Sequence, residues 1–322
     1  MLRKTALFII ASAISTFAFS QFDPYGGLAM YNLMYYNPGY AGDGNEIESR
    51  VLGQNNLMGF GEGAPTTQFF NVDAPFKLFN QRHGAGLSIM NDIIGASRNV
   101  GVNLSYAYRR SLIQGDLGFG IGLNLTNSTY NDASWIMSEN SVLSGVGSDP
   151  SIPGTSEAPM ALDFNLGVYY KSDNLFLSIS GRNLGNAKMN FKEEYKEGSF
   201  IGRQIYFSSG YEYQLPNPMF SIKPVVFVGT DFSGTQLNLT NFVTYNKRFF
   251  GGTGVKFSNS ISEVSVIAGI DLPSGIEVAI CYDINTTRLT NFSNGSFEFM
   301  AGYSFSLEID KDNRKYKSVR FL

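Results

Sequence analysis

Ser296-Phe297-Glu298-Phe299-Met300-Ala301-Gly302-Tyr303-Ser304-Phe305-Ser306-Leu307-Glu308-Ile309 is the stretch on which the fold turns. Every odd position is apolar or aromatic. The even positions carry Ser, Glu, Met and Gly. A period of two sends successive side chains to opposite faces of a β-strand, so one face is greasy and the other polar or small. The same rhythm recurs upstream. Phe119, Ile121, Leu123 and Leu125 alternate with Gly118, Gly120, Gly122 and Asn124. Ile276, Val278, Ile280, Tyr282 and Ile284 alternate with Glu277, Ala279, Cys281 and Asp283. Val100 to Tyr108 and Leu162 to Tyr170 repeat it. In all five strands the apolar face carries no charge, as a lipid-facing band requires. Tyrosines near strand ends (Tyr106 and Tyr108, Tyr169 and Tyr170, Tyr211 and Tyr213) read as interfacial girdles.

Composition narrows the classes further. The 322 residues contain 24 Lys and Arg against 27 Asp and Glu, net −3, which offers no basic footprint for nucleic acid. One cysteine, Cys281, excludes an intrachain disulfide and a cysteine-cluster metal site. One histidine, His83, makes histidine-based catalysis hard to build, and its place at a strand start at the expected periplasmic end is wrong for a hydrolase, which needs it near the external rim. No carboxylate pair, metal spacing or phosphate loop stands out, so neither an enzyme nor a cofactor is expected. Residues 1–20 read as a secretory signal: Arg3 and Lys4, an apolar stretch, then Ala18-Phe19-Ser20 as a small-x-small cleavage site. Beyond Gln21 no apolar run approaches the ~18 residues of a membrane helix, which leaves strands as the only way to cross.

The alternation predicts an all-β transmembrane barrel of the outer-membrane type with about fourteen antiparallel strands. They fall at 47–57, 66–76, 83–92, 97–110, 115–129, 159–171, 174–185, 202–214, 219–230, 235–247, 249–258, 262–271, 275–284 and 295–309. The connections then alternate between two ends, and every one of ten residues or more falls on the same end. Membrane barrels have short periplasmic turns and longer external loops. An even count returns both termini to the periplasm. The expected organisation is a signal peptide at 1–20, a periplasmic or plugging segment at 21–46, the barrel at 47–309 and a basic periplasmic tail at 310–322.

Candidate residues follow from that layout. Asp92, Arg109, Asp163, Arg182, Glu277, Asp283 and Glu298 belong to the polar lumen face, either pairing among themselves or lining a selective path. Lumen glycines such as Gly118, Gly120 and Gly122 leave room for bulky neighbours or a plug. Asn37, Pro38 and Tyr40 sit in a turn-forming segment that either corks the lumen or meets a partner. Two long external loops, 130–158 with Trp135 and 186–201 with Tyr195, could carry binding, as loops on a rigid scaffold commonly do. The tail places Arg314, Lys315 and Lys317 where an anionic periplasmic partner could reach them.

Four motifs in order resemble one family. Asn37-Pro38-Gly39-Tyr40-Ala41-Gly42 resembles the N-terminal motif of the PorP/SprF family, outer-membrane proteins of the type IX secretion and gliding systems of Bacteroidota. Gly63-Ala64-Pro65-Thr66-Thr67-Gln68 resembles its Gly-Ala-Pro-x-Thr-Gln segment. Gly84-Ala85-Gly86-Leu87-Ser88-Ile89-Met90-Asn91-Asp92-Ile93-Ile94-Gly95 resembles its third-strand signature. Gly295-Ser296-Phe297-Glu298-Phe299 with Gly302-Tyr303 resembles its closing strand, with Phe297 where His is expected in many members. The resemblance implies a barrel in outer-membrane lipid that supports secretion or surface attachment of an adhesin bearing a type IX C-terminal domain. It also implies contact with periplasmic ring components of that system. The alternative reading from the barrel alone is a passive channel or hydrophobic-solute transporter with 21–46 as its hatch.

Overall fold

The computed structural model describes residues 26–61, 63–112, 114–130, 158–189, 201–258 and 260–306. The strands are β1 (Ile47–Asn55), β2 (Thr66–Leu78), β3 (Gln81–Ile94), β4 (Ser97–Leu112), β5 (Gly115–Tyr130), β6 (Met160–Lys171), β7 (Leu175–Arg182), β8 (Gln204–Tyr211), β9 (Tyr213–Gln214), β10 (Phe220–Thr230), β11 (Thr235–Tyr245), β12 (Phe249–Ser258), β13 (Ser260–Asp271), β14 (Ile276–Asn285) and β15 (Ser296–Phe305). β8 and β9 are one stave interrupted at Glu212, whose N–H turns to the Asn174 carbonyl at 2.7 Å. Fourteen antiparallel staves therefore pair in chain order. The seam closes where β15 meets β1, with Ile47 opposite Phe305 and Asn55 opposite Phe297. A closed sheet leaves no edge, and within lipid every backbone group must find its partner inside the protein.

The alternation becomes two faces. Leu104, Leu123 and Phe164 stand abreast on β4, β5 and β6, and all three point outward and are exposed. Their inward neighbours Asn103, Asn124, Asp163 and Asn165 are buried. The tyrosine girdle needs one correction. Tyr106, Tyr170, Tyr211 and Tyr213 point away from the lumen, but Tyr169 is 3% exposed and faces inward, where its ring meets Tyr40 at 5.1 Å. Strand parity decides the matter: Tyr169 shares the face of Asp163, Asn165 and Gly167.

The two ends differ as barrel physics requires. Connections 79–80, 113–114, 172–174, 215–219, 246–248 and 272–275 form the short-turn end. Connections 56–65, 131–159, 183–203 and 286–295 form the other, together with three tight turns. Two of the short turns, Phe79-Asn80 and Asn246-Lys247, hold both residues at positive φ, the two-residue hairpin geometry that matches strand twist. Strand ends differ from the sequence reading in places. β7 stops at Arg182 because Asn183 adopts a left-handed φ of 52° and the Leu184 N–H folds back to the Phe164 carbonyl. β13 begins two residues earlier than read, at Ser260, so its link to β12 is a tight turn. Residues 307–309, assigned to the last strand, lie outside the described residues.

Candidate functional site

The lumen is filled by the chain's own N-terminal segment. Residues 26–43 enter it as three short helical turns, Ala29–Asn32, Leu33–Tyr36 and Pro38–Tyr40. Sequence explains the last turn locally. Asn37 caps it, accepting the Gly39 N–H on Oδ1 at 2.7 Å, and Pro38 occupies a first-turn position where its missing N–H costs nothing. Asn37 is fully buried, and its Nδ2 donates to the Val168 carbonyl at 2.9 Å and to Ser178 Oγ at 2.7 Å.

One wall of the lumen receives the plug backbone and the other receives its side chains. On β3, β5 and β6 the wall is glycine. A Cβ on Gly120 would overlap the backbone of Pro38 and Gly39, one on Gly118 the Gly39 carbonyl, and one on Gly84 the Ala41 carbonyl. Gly122 differs: its space is taken by Asn103 and Asn165, not by the plug. Across the lumen the wall is aromatic. Tyr36 packs on Tyr206 and Phe227, each 5.0 Å away, and Tyr31 stacks on Phe250 at 5.7 Å. Leu28, Leu33, Met34, Tyr35, Tyr36 and Tyr40 are all buried. At roughly 1.5–3 kcal/mol per large side chain, their burial supplies on the order of 10 kcal/mol holding the plug. The barrel thus has a packed core.

Charged wall residues grip the plug by its main chain. Arg109, 1% exposed, donates through Nη1 to the carbonyls of Gly39, Tyr40 and Ala41 at 3.1–3.3 Å, and through Nη2 to Asp43 Oδ1 at 2.6 Å. Lys171 Nζ takes the other Asp43 oxygen at 2.7 Å. Asp73 accepts the Gly42 N–H at 2.7 Å. Arg182 donates to the Tyr35 carbonyl at 2.7 Å and lies 3.7 Å over the Tyr35 ring. At the far end Glu298 accepts the N–H groups of Gly27 and Leu28 at 2.7 and 3.0 Å, and Asn238 donates to the Gly26 carbonyl at 3.0 Å. Glu298 and Asn238 lie toward the long-loop ends of β15 and β11, whereas Arg109 and Lys171 lie toward the short-turn ends of β4 and β6. The plug therefore runs along the barrel axis between them.

The remaining lumen candidates divide by neighbour. Asp283 sits with Lys256 Nζ at 2.7 Å and Ser265 Oγ at 2.5 Å, and the same ammonium reaches Glu263 at 2.8 Å and Glu298 at 3.5 Å. The sulfur of Cys281 and oxygens of Asp283 and Glu298 lie within 4.8 Å of one another, and Lys256 supplies the positive charge there. Glu277 and Glu48 share Arg50. Tyr40 donates to Glu48 at 3.3 Å. Asp92 accepts from Thr67 Oγ1 at 2.7 Å. Asp163 accepts the N–H groups of Phe164, Gly185 and Ala187 and so fixes the turn after β7. His83 sits on the outer face, with Nδ1 2.7 Å from the Tyr106 hydroxyl and its ring stacked on Phe76.

The residues expected to meet a partner fall into two groups. Asn37, Pro38 and Tyr40 are buried between plug and wall, so a partner would reach them only with the plug displaced. Trp135, Tyr195, Arg314, Lys315 and Lys317 lie outside the described residues, as does the proposed signal peptide. Asp43, Asp73, Lys256 and Asn238 were not singled out from sequence. Strand parity would have found two of them: Asp73 shares a face with Phe69 and Asn71, and Lys256 with Phe250, Gly252 and Gly254.

A closed, corked, fourteen-stave barrel with an apolar outer band defines a membrane-spanning barrel of the outer-membrane type. The chain belongs to the type IX secretion system membrane protein PorP/SprF family, which it matches over residues 18–303. No curated protein is significantly similar to it. Among solved structures it is similar to the toluene transporter TodX of P. putida (13% identity, 84% of this chain and 92% of that one, TM-score 0.47). A TodX deltaS2S3 mutant described as a monoaromatic hydrocarbon channel gives 11% identity, 83% and 92% coverage and a TM-score of 0.49. The outer membrane protein Omp33 of Acinetobacter baumannii gives 10% identity, 81% and 100% coverage and a TM-score of 0.46.

Proposed function

We propose that this chain is an outer-membrane anchor of a type IX secretion system, holding a cognate adhesin at the cell surface through its long-loop end. The reading rests on the filled lumen. Residues 26–43 are packed in the bore, and such a filled lumen favours a binding role over passage of a solute. The loops 56–65 and 286–295 support a binding role. They are zipped together by Met58 and Gly295, whose N–H and carbonyl meet at 2.8 Å, and by Asn294 donating to the Met58 carbonyl at 2.6 Å. They carry the exposed side chains of Phe60, Leu289 and Phe292. Tail residues Arg314, Lys315 and Lys317 would serve the periplasmic side of the same role, toward the secretion ring. Deleting the gene is expected to leave one large surface protein with a type IX C-terminal domain off the cell. That protein is also expected to co-purify with the tagged barrel in mild detergent. Normal display in the deletant would overturn the anchor reading. The competing channel reading requires steady ion conductance from the purified protein in planar bilayers, where the corked barrel is expected to be silent.

A further inference from the structure

The plug has a direction. Its later residues lie low in the bore: Asp43 is held by Arg109 and Lys171 near the short-turn ends of β4 and β6, and the chain enters β1 from there at Ile47. Its first described residues lie high. Glu298 accepts the N–H groups of Gly27 and Leu28, and Asn238 donates to the Gly26 carbonyl. β15 starts at Ser296 and β11 at Thr235, both at the long-loop end, so Glu298 is the third residue below that rim and Asn238 the fourth. At about 3.3 Å per residue, less the strand tilt, Gly26 sits within roughly 10 Å of the mouth.

The expected cleavage after Ser20 leaves Gln21-Phe22-Asp23-Pro24-Tyr25 ahead of Gly26. Five extended residues reach up to about 17 Å, more than the depth of Gly26. The opposite route is filled. Between Gly26 and the short-turn end the bore holds Leu28, Leu33, Met34, Tyr35 and Tyr36, all buried. A second run of chain going back past them would have to break that packing. The open course is outward, through the end that carries the long external loops. The rim there is apolar. The connection 286–295 leads straight into Ser296 and the Glu298 clasp, and the Leu57 N–H donates to Ser296 Oγ at 3.2 Å, which ties the connection 56–65 to the same spot. Phe60, Leu289 and Phe292 are exposed on these two connections.

We propose that the leading end of the mature chain lies outside the cell, and that Phe22 and Tyr25 join Phe60, Leu289 and Phe292 in the surface on which an external protein domain docks an apolar face. The outward course follows from the plug alone. The docking half rests on the anchor reading, with the aromatic side chains as its anchors, the residue type that dominates protein interfaces.

The test uses the full-length protein in intact cells. Cys281, its one cysteine, is buried, so each introduced cysteine reports alone. A membrane-impermeant maleimide should label Asp23→Cys and Ser233→Cys, the latter in a long-loop-end turn. Asp173→Cys, exposed in a short-turn-end turn, should react only after the outer membrane is permeabilised. Asp23→Cys that reacts only after permeabilisation, or not at all, would overturn the proposal. Labelling of Asp173→Cys in intact cells would overturn it too, by inverting the barrel. The double variant Phe22→Ser with Tyr25→Ser should recover at least about tenfold less surface protein in mild detergent, the loss expected of aromatic anchors. Unchanged heat-modifiable mobility would show that it still folds, and wild-type recovery from it would overturn the docking half. If the wild-type barrel itself recovers no surface protein, the anchor role falls and the docking half with it, while intact-cell labelling of Asp23→Cys still supports the outward end.

Discussion

Arg109 shows what a single side chain does inside this barrel. Its guanidinium spans three consecutive carbonyls and one carboxylate, an arrangement only a planar fork of donors satisfies. Removing one partner of a buried ion pair typically costs about 3–5 kcal/mol, so Arg109→Met should lower the unfolding midpoint by a corresponding amount in urea titrations in lipid vesicles. Arg109→Lys should recover little, since a point charge cannot face four acceptors at once. Glycine provides the matching test by volume. Gly120→Val should drive the plug off its wall and lower the temperature at which the barrel loses heat-modifiable mobility. Gly202→Val, whose Cβ meets nothing within 4 Å, should leave it unchanged. Parity made the inward direction of Arg109 legible in the sequence. Its partners were not legible, because the contact with residues 39–43 depends on how deep the plug sits, a consequence of packing that no local pattern encodes.

At the scale of elements, strands and plug carry different kinds of information. A strand facing lipid on one side and a core on the other has its register fixed by alternation, and for that reason the staves were legible in the sequence while some of their ends were not, β7 stopping at Arg182 and β13 starting at Ser260. Tyr169 was misplaced because an aromatic near a strand end fits a girdle and a plugged lumen equally well; only counting from Asp163 separates them. The outer band allows a direct test. Leu123→Arg should destabilise the barrel by roughly 2–4 kcal/mol, the cost of a cation near the bilayer midplane, read as a shift in the folding equilibrium in lipid vesicles. Deleting residues 26–43 should give a barrel that melts at lower temperature and conducts ions in planar bilayers, where the intact protein is silent. An unchanged melting temperature would mean that the aromatic half of the wall holds itself without the plug.

For the molecule as a whole, the decisive contrast is between a bore that is full and a rim that is built out. Every connection of ten residues or more stands at one end, and the opposite end is trimmed to turns of five residues or fewer. Such polarity lets the two faces of one membrane protein take on separate work. The grip of Glu298 on Gly27 and Leu28 adds a consequence for assembly. Among the described residues the carboxylate belongs to the last strand made and the N–H groups to the first segment made. A chain interrupted before β15 lacks, at one stroke, the closing edge and the clasp for its own leading end. Closure of the wall and the clasp on the cork's leading end therefore depend on the same strand.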